Sequence, residues 1–314
     1  MNLENKIKEA FFGQAIGDAL GVPVEFKSRE YLKENPVDDY LAFMCWNQPA
    51  GTFSDDSSMM FCTAESLSKK YDIEDIGKTF VKWYTEGYWG AHDEVFDIGG
   101  TTRRSLRRII EGEKAKFSGE FFPENNGNGS LMRILPLVFF LYKEKDINIR
   151  FQTIKEVSSI THAHLRSVVS CFIFVEFGIL LLSGENKITA YAKMQNVVND
   201  FIVLNGFNAE EVSLFDRILK YKVYELSENQ INSGGYVLES IESALWCFMN
   251  SNNYTESVLS AVNLGGDTDT TAAINGGLAG MYYGWESIRL EWINGIAKQK
   301  EITELALQFY QSVK

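Results

Sequence analysis

Two short runs carry the residues whose types and spacing could do chemistry. Asn263-Leu264-Gly265-Gly266-Asp267-Thr268-Asp269-Thr270-Thr271 sets two carboxylates at i and i+2 among hydroxyls, after two glycines and before Ala272, Ala273, Gly276, Gly277, Ala279 and Gly280. Far upstream, Gly51-Thr52-Phe53-Ser54-Asp55-Asp56-Ser57-Ser58-Met59-Met60 places adjacent acids between hydroxyls. Carboxylate and hydroxyl oxygens are hard ligands that suit Mg²⁺, Mn²⁺ or Ca²⁺. The Asp267 run, taken alone, also reads as a capped helix start, because Asp and Thr oxygens accept the orphan N–H groups of a first turn. An EF-hand is excluded, since Thr271 and Ala272 stand where that loop needs an acid or Asn and then Gly. Adjacent aspartates repel and are costly to bury without a cation or hydrogen bonds. Four of them in two such clusters point to a shared two-metal centre.

The elements that must position these acids read as helices. Ile7, Ala10, Phe11, Gln14, Ala15 and Asp18 recur at helical spacing to about Ala19, and Gly17-Asp18-Ala19-Leu20-Gly21-Val22-Pro23-Val24-Glu25-Phe26 ends the segment. Glu25 follows in an irregular stretch, where a lone carboxylate is ordinarily a surface or capping group. Residues 29–50, with Pro36 and Pro49, read as loop. The Asp55/Asp56 run feeds a helix over 59–68, and 72–86 makes another with Ile76, Phe80, Trp83 and Tyr84 on one face.

Asp97-Ile98-Gly99-Gly100-Thr101-Thr102 then opens a helix over 103–111, and Asn125-Asn126-Gly127-Asn128-Gly129-Ser130-Leu131-Met132-Arg133 opens one through Ile134, Leu135, Val138 and Leu141. Glycine and hydroxyl before a helix can aim free N–H groups at an anion, or form an ordinary N-cap. The Asn125 to Arg133 loop matches neither a P-loop nor a dinucleotide fingerprint. His162 and His164, at i and i+2, do not share a helix face, and only His92 stands besides them, so metal ligation must come from oxygen. Residues 187–228 read as peripheral helices, followed by helices over 237–249, 286–296 and 302–312. Ala273, Gly276, Gly280 and Gly284 bring small residues to one side of the helix after Asp267, which lets a second backbone approach closely and predicts a central position for that helix. With few period-two stretches and no linker or repeat, the chain is expected to be all-α, a single domain over 1–314.

Composition narrows the function. Apolar residues make up 45% of the chain and charged residues 23%, an ordinary globular balance. A net charge of −12 argues against broad contact with nucleic acid or anionic lipid and is expected to oppose self-association, so a monomer is expected. Cys45, Cys62, Cys171 and Cys247 are scattered without paired spacing, which fits a reducing cytoplasm. The N-terminus lacks the pattern of a signal peptide, and the longest apolar run, 165–182, is interrupted by Arg166 and Glu176; no transmembrane span is expected.

Together these motifs resemble the ADP-ribosylglycohydrolase family. The matching stretches are Gly17 to Gly21 with Glu25, Gly51 to Met60, Gly99 to Thr102, Gly127 to Pro136, Thr161-His162, and Gly265 to Gly284, in the family's order and across nearly the whole chain. The resemblance implies a binuclear Mg²⁺ or Mn²⁺ site held by Ser54, Asp55, Asp56, Asp267, Asp269 and Thr270. It implies hydrolysis of the bond between ribose C1″ and an acceptor side chain of a modified protein. Asp55 or Asp56 would act as base and Glu25 would guard or contact the site, with Asp269 in the same catalytic set. Gly99, Gly100, Thr101, Thr102, Asn128, Gly129, Ser130 and His162 would hold the diphosphate and ribose. The family pattern has Thr where Ser54 and Ser57 stand; Ser keeps the oxygen and loses the methyl that restricts its rotamer. Arginine is the expected acceptor. Serine-linked, polymeric or O-acyl ADP-ribose, and a non-catalytic ADP-ribose-binding protein, are the alternatives.

Overall fold

The stripe of small residues after Asp267 sets the architecture. In the computed structural model, which describes residues 2–314, the Thr268–Tyr283 helix lies directly against the N-terminal Leu3–Gly21 helix. A Cβ on Gly17 would fall 2.1 Å from the Ala272 carbonyl oxygen, and one on Gly276 would fall 2.3 Å from that of Gly13. Both are backbone atoms that cannot swing aside, so glycine is what allows the two helices to touch. Tyr254, buried in the neighbouring Tyr254–Asn263 helix, donates its hydroxyl to the Gly13 carbonyl at 2.6 Å and closes the seam from a third side. The first helix is buried from Glu9 onward and the Thr268–Tyr283 helix from Thr268 to Met281, polar residues such as Gln14, Asp18, Asp269 and Asn275 included.

Around this pair the remaining helices share one hydrophobic core, and the described residues contain no strand. The Leu165–Leu182 helix is long and apolar enough to cross a membrane, yet 78% of it is buried against the rest of the protein. Its two charges are paired: Arg150 donates to Glu176 at 2.6 and 2.8 Å, and Arg166 to Glu211 at 2.7 and 2.8 Å. Two isolated bridges, Glu120 with His162 and Gly127 with Tyr236, hold loops rather than sheets together.

Three segments differ from the expectations. Residues 29–50 are not all loop: Arg29–Glu34 is a helix, because Ser28 accepts the Tyr31 N–H and Leu32 finds the core. The Asp55/Asp56 helix spans Asp55–Leu67, so both acids belong to its first turn, where negative side chains complement the helix dipole. The 286–296 segment breaks into a 3₁₀ turn, Trp285–Ser287, and a short helix, Leu290–Gly295. Helices Ile147–Ser159 and Tyr254–Asn263 start on the side-chain caps of Asp146 and Asn253.

Candidate metal centre and cavity

The seam delivers the acids to one place. Asp18, near the end of the first helix, accepts the Ser54 N–H at 2.9 Å, the Ser57 N–H at 3.0 Å and the Ser57 hydroxyl at 2.6 Å. It therefore fixes the start of the Asp55–Leu67 helix from outside that helix. Gly21 sits against the Asp269 backbone, where a Cβ would come within 2.4 Å, and the Thr268 hydroxyl donates to the Gly21 carbonyl at 2.8 Å. Gln14 reaches across to the Met132 and Asp56 carbonyls.

Seven carboxylates converge there. Ligand atoms of Asp18, Asp56 and Asp269 lie within 4.8 Å of one another, as do those of Glu25, Asp267 and Asp269, so Asp269 joins two acidic triads. Around Asp56, Ser54 donates to Oδ2 at 2.8 Å and Thr270 to the same oxygen at 3.3 Å. Asp55 stands outside both triads, in the wall of the adjoining cavity, and Asp97 shares that wall.

The helix-cap reading holds for Asp269, whose Oδ1 accepts the Thr270 N–H at 2.9 Å, and not for Asp267. Asp267 occupies the N-cap position of its helix but makes no capping hydrogen bond; its Oδ2 accepts instead from Asn128 Nδ2 at 2.8 Å. Ser54, by contrast, does cap, accepting the Asp56 N–H at 3.3 Å. Asp56 Oδ1 and Asp269 Oδ2 are buried with no hydrogen-bond partner. An anionic oxygen so placed is costly to bury. Two such atoms among hard oxygen donors fit a divalent cation.

Crowding appears in the ionisation of the group. Burial, then repulsion from Asp97 and Asp56, raises Asp55 well above the carboxylate range; burial, then Asp18 and Asp267, does the same to Asp56. Asp269 rises through burial, then Glu25 and Asp267. Burial lifts Asp18 to about 7 against its hydrogen bonds from Ser57 and Ser54, and lifts Asp97 to about 6. Glu25 reaches about 9, through burial first and Asp97 second, although the Trp46 indole N–H donates to it.

Above the acids opens a cavity of about 250 Å³, walled by Glu25, Phe26, Asp55 and Asp97, the 99–102 and 127–129 stretches, His162, Asp267 and Thr270. Gly100–Ile110 starts as a helix at this wall without a side-chain cap, leaving its first N–H groups free to face an anion. The second loop is pinned from below by Arg133. That side chain is fully buried, donates to the Gly129 carbonyl at 2.6 Å and lies 4.6 Å from the Phe80 ring centroid. Gly129 leaves room for His162, whose Cε1 would stand 2.8 Å from a Cβ there. Burial and the nearby Arg133 charge depress His162 to about 3, so the ring is neutral.

Of the residues singled out in the sequence, Glu25, Asp55, Asp267, Thr270, Gly99 to Thr102, Asn128, Gly129 and His162 meet in the cavity wall, with Asp56 and Asp269 packed beside it. Ser54 supports Asp56 rather than lining the cavity, and the Ser130 hydroxyl is buried beneath its loop, 2.9 Å from Ser158. The Asn128 amide is committed to Asp267 and Ser240. Sequence reasoning gave no role to Asp18, Asp97, Phe26 or Trp46. Asp18 alone carried a signal, an acid on the apolar face of a helix between two glycines.

The ADP-ribosylglycohydrolase family model matches residues 1–314. The chain is 32% identical to an ADP-ribosylarginine hydrolase, Tri1, of Serratia proteamaculans (strain 568), over 98% of this chain and 79% of that one. It is 24% identical to the ADP-ribosyl-dinitrogen reductase glycohydrolase of Rhodospirillum rubrum, over 93% and 90% of the two chains. Among solved structures it resembles an ADP-ribosylglycohydrolase-related protein complex, with a TM-score of 0.82 at 28% identity over 99% of both chains.

Proposed function

Because this chain belongs to the ADP-ribosylglycohydrolase family, we propose that it is a hydrolase that frees a protein arginine side chain from ADP-ribose, reversing mono-ADP-ribosylation. The observation that carries the reading is the pair of unpartnered buried oxygens, Asp56 Oδ1 and Asp269 Oδ2, placed beside a cavity edged by two glycine-rich loops. Two Mg²⁺ or Mn²⁺ ions held by Asp55, Asp56, Asp267 and Asp269 with Ser54 and Thr270 would supply Lewis acidity at the ribose hydroxyls.

The chain's own residues do the rest. The free N–H groups at Gly100 to Thr102 and the 127–129 backbone take the diphosphate and ribose, and neutral His162 sits beside them without adding charge. Asp55 faces the cavity and Asp56 is packed beneath it, so Asp55 takes the proton of the attacking water. The water oxygen bonds to C1″, the C1″–N bond breaks, and the proton passes to the departing guanidine nitrogen. Asp97 offsets the positive charge that builds at C1″ in the transition state, and Glu25 borders the cavity beside it. Four free cysteines, three of them buried, support action in a reducing cytoplasm, and the net charge of −12 supports action as a monomer.

The test is release of ADP-ribose from an arginine-modified protein and a serine-modified one, in Mg²⁺, in Mn²⁺ and in EDTA. Metal-dependent release from arginine, lost in Asp55→Asn and in Asp269→Ala, is the expected result. Release unaffected by EDTA would overturn the metal reading, and release from serine alone would overturn the acceptor.

A further inference from the structure

Phe26 is a large apolar side chain left mostly in solvent. It borders the cavity, is 68% exposed, and has φ 64°, the left-handed region in which a residue with a Cβ is strained. The strain is locked in by the acidic loop. The Phe26 N–H donates to the Gly266 carbonyl at 2.7 Å and the Gly266 N–H to the Lys27 carbonyl at 2.8 Å, one residue before Asp267. The ring is also the outermost of a row. It lies 6.4 Å from Trp46, which lies 5.8 Å from Phe96, and the Trp46 indole N–H holds Glu25.

An exposed aromatic face beside carboxylates is the arrangement that receives a planar cation. Glu25 directly precedes Phe26 in the chain, and Asp97, the residue after Phe96, shares the cavity wall. We propose that Phe26, backed by Trp46, is the platform on which the acceptor guanidinium stacks, and that it is a specificity-determining residue for arginine-linked substrates. The proposal rests on the functional reading above and deepens it. A serine acceptor has no planar cation and gains nothing from the ring. The competing occupant, the adenine base, would draw no benefit from the adjacent acids.

The test measures binding in an Asp55→Asn background, where turnover is blocked, so that it stands apart from activity. Calorimetric dissociation constants are compared for an arginine-linked ADP-ribosyl peptide, a serine-linked one and free ADP-ribose, with Phe26, Phe26→Leu and Phe26→Trp. The expected result is a loss on the order of tenfold for the arginine-linked peptide in Phe26→Leu. Affinity for free ADP-ribose and for the serine-linked peptide stays unchanged, and Phe26→Trp restores the loss. Equal weakening of all three ligands would place the base or ribose on the ring and overturn the proposal, as would no change in any. Wild-type protein that binds with the expected preference but releases nothing would refute the proposed hydrolysis and leave the platform standing.

Discussion

Neutralising one carboxylate of the cluster should stabilise the metal-free protein and destabilise the metal-bound one. Asp56 is the residue of choice, because it is buried, keeps one oxygen without a partner, and lies within 4.8 Å of both Asp18 and Asp269 at their closest ligand atoms. Two unit charges at that distance repel by about 3.5 kcal/mol at an effective dielectric of about 20, so the two neighbours together oppose ionisation by roughly 7 kcal/mol. Proton uptake sets a ceiling. At pH 7.5 the folded protein can avoid the repulsion by holding a proton, at a cost of about 5 kcal/mol measured from an unfolded pKa of about 3.8. The Asn side chain keeps the acceptor that Ser54 and Thr270 use, but buries an amide whose unmet hydrogen bonds cost about 1–3 kcal/mol. Asp56→Asn is therefore expected to gain about 2–4 kcal/mol in EDTA, or roughly 4–8 °C at about 2 °C per kcal/mol for a chain of this size. In Mg²⁺ or Mn²⁺ the order of the two proteins reverses, because the wild type gains binding energy that the variant has lost. Differential scanning calorimetry in EDTA and in each metal reads both signs. A variant less stable than wild type in EDTA would refute the reasoning, since Asp56 would then be an ordinary structural hydrogen-bonding group.

Two further outcomes follow from the geometry. His162 is held neutral in the fold at about 3 against an ordinary value of 6.5, so the unfolded chain binds the extra proton between those limits and the histidine's contribution is lost as pH falls from about 6.5. Relative to His162→Gln, the wild type should lose about 2 kcal/mol between pH 7 and pH 5 in urea titrations, and a pH-independent difference would contradict the buried neutral ring. Gly17→Ala puts a methyl 2.1 Å from a backbone oxygen, and overpacking of that kind should cost at least about 2 kcal/mol after the usual helix gain of alanine. It should also weaken metal binding, because Asp269 lies at the end of the same seam; an alanine variant as stable as wild type would remove the seam from the account.

What could be read in the sequence was whatever depends on neighbours along the chain. Helical periodicity found most of the long helices, and the Gly276/Gly280 stripe foretold the central packing, because side-chain size at fixed spacing is a local property. The two aspartate runs and both glycine-rich loops were legible for the same reason. Asp97 was not, and Asp18 showed only as an acid on an apolar helix face, since what brings them into the acidic cluster is contact across the fold: Asp18 bonds to residues 36 and 39 positions away. The Arg29–Glu34 helix was hidden by the prolines that follow it, and the role of Phe26 rests on a backbone angle and an exposure that no periodicity records. The choice between cap and metal at Asp267 turns on where one carboxylate oxygen points, which neighbours along the chain do not determine.

The glycine seam has a consequence for how the protein comes into being. The bond from Thr268 to the Gly21 carbonyl joins residues 247 positions apart, and it sits where the acids meet. During synthesis the first helix leaves the ribosome with its glycine groove and Asp18 waiting for a partner that has yet to be translated. Nascent chains and early-terminated products therefore hold half a centre and cannot act on any modified protein. The same division makes the molecule a candidate for fragment complementation, with a break in the exposed 205–206 turn leaving five of the seven acids on one piece and two on the other, and chemistry restored only when the two pieces zip together along the seam.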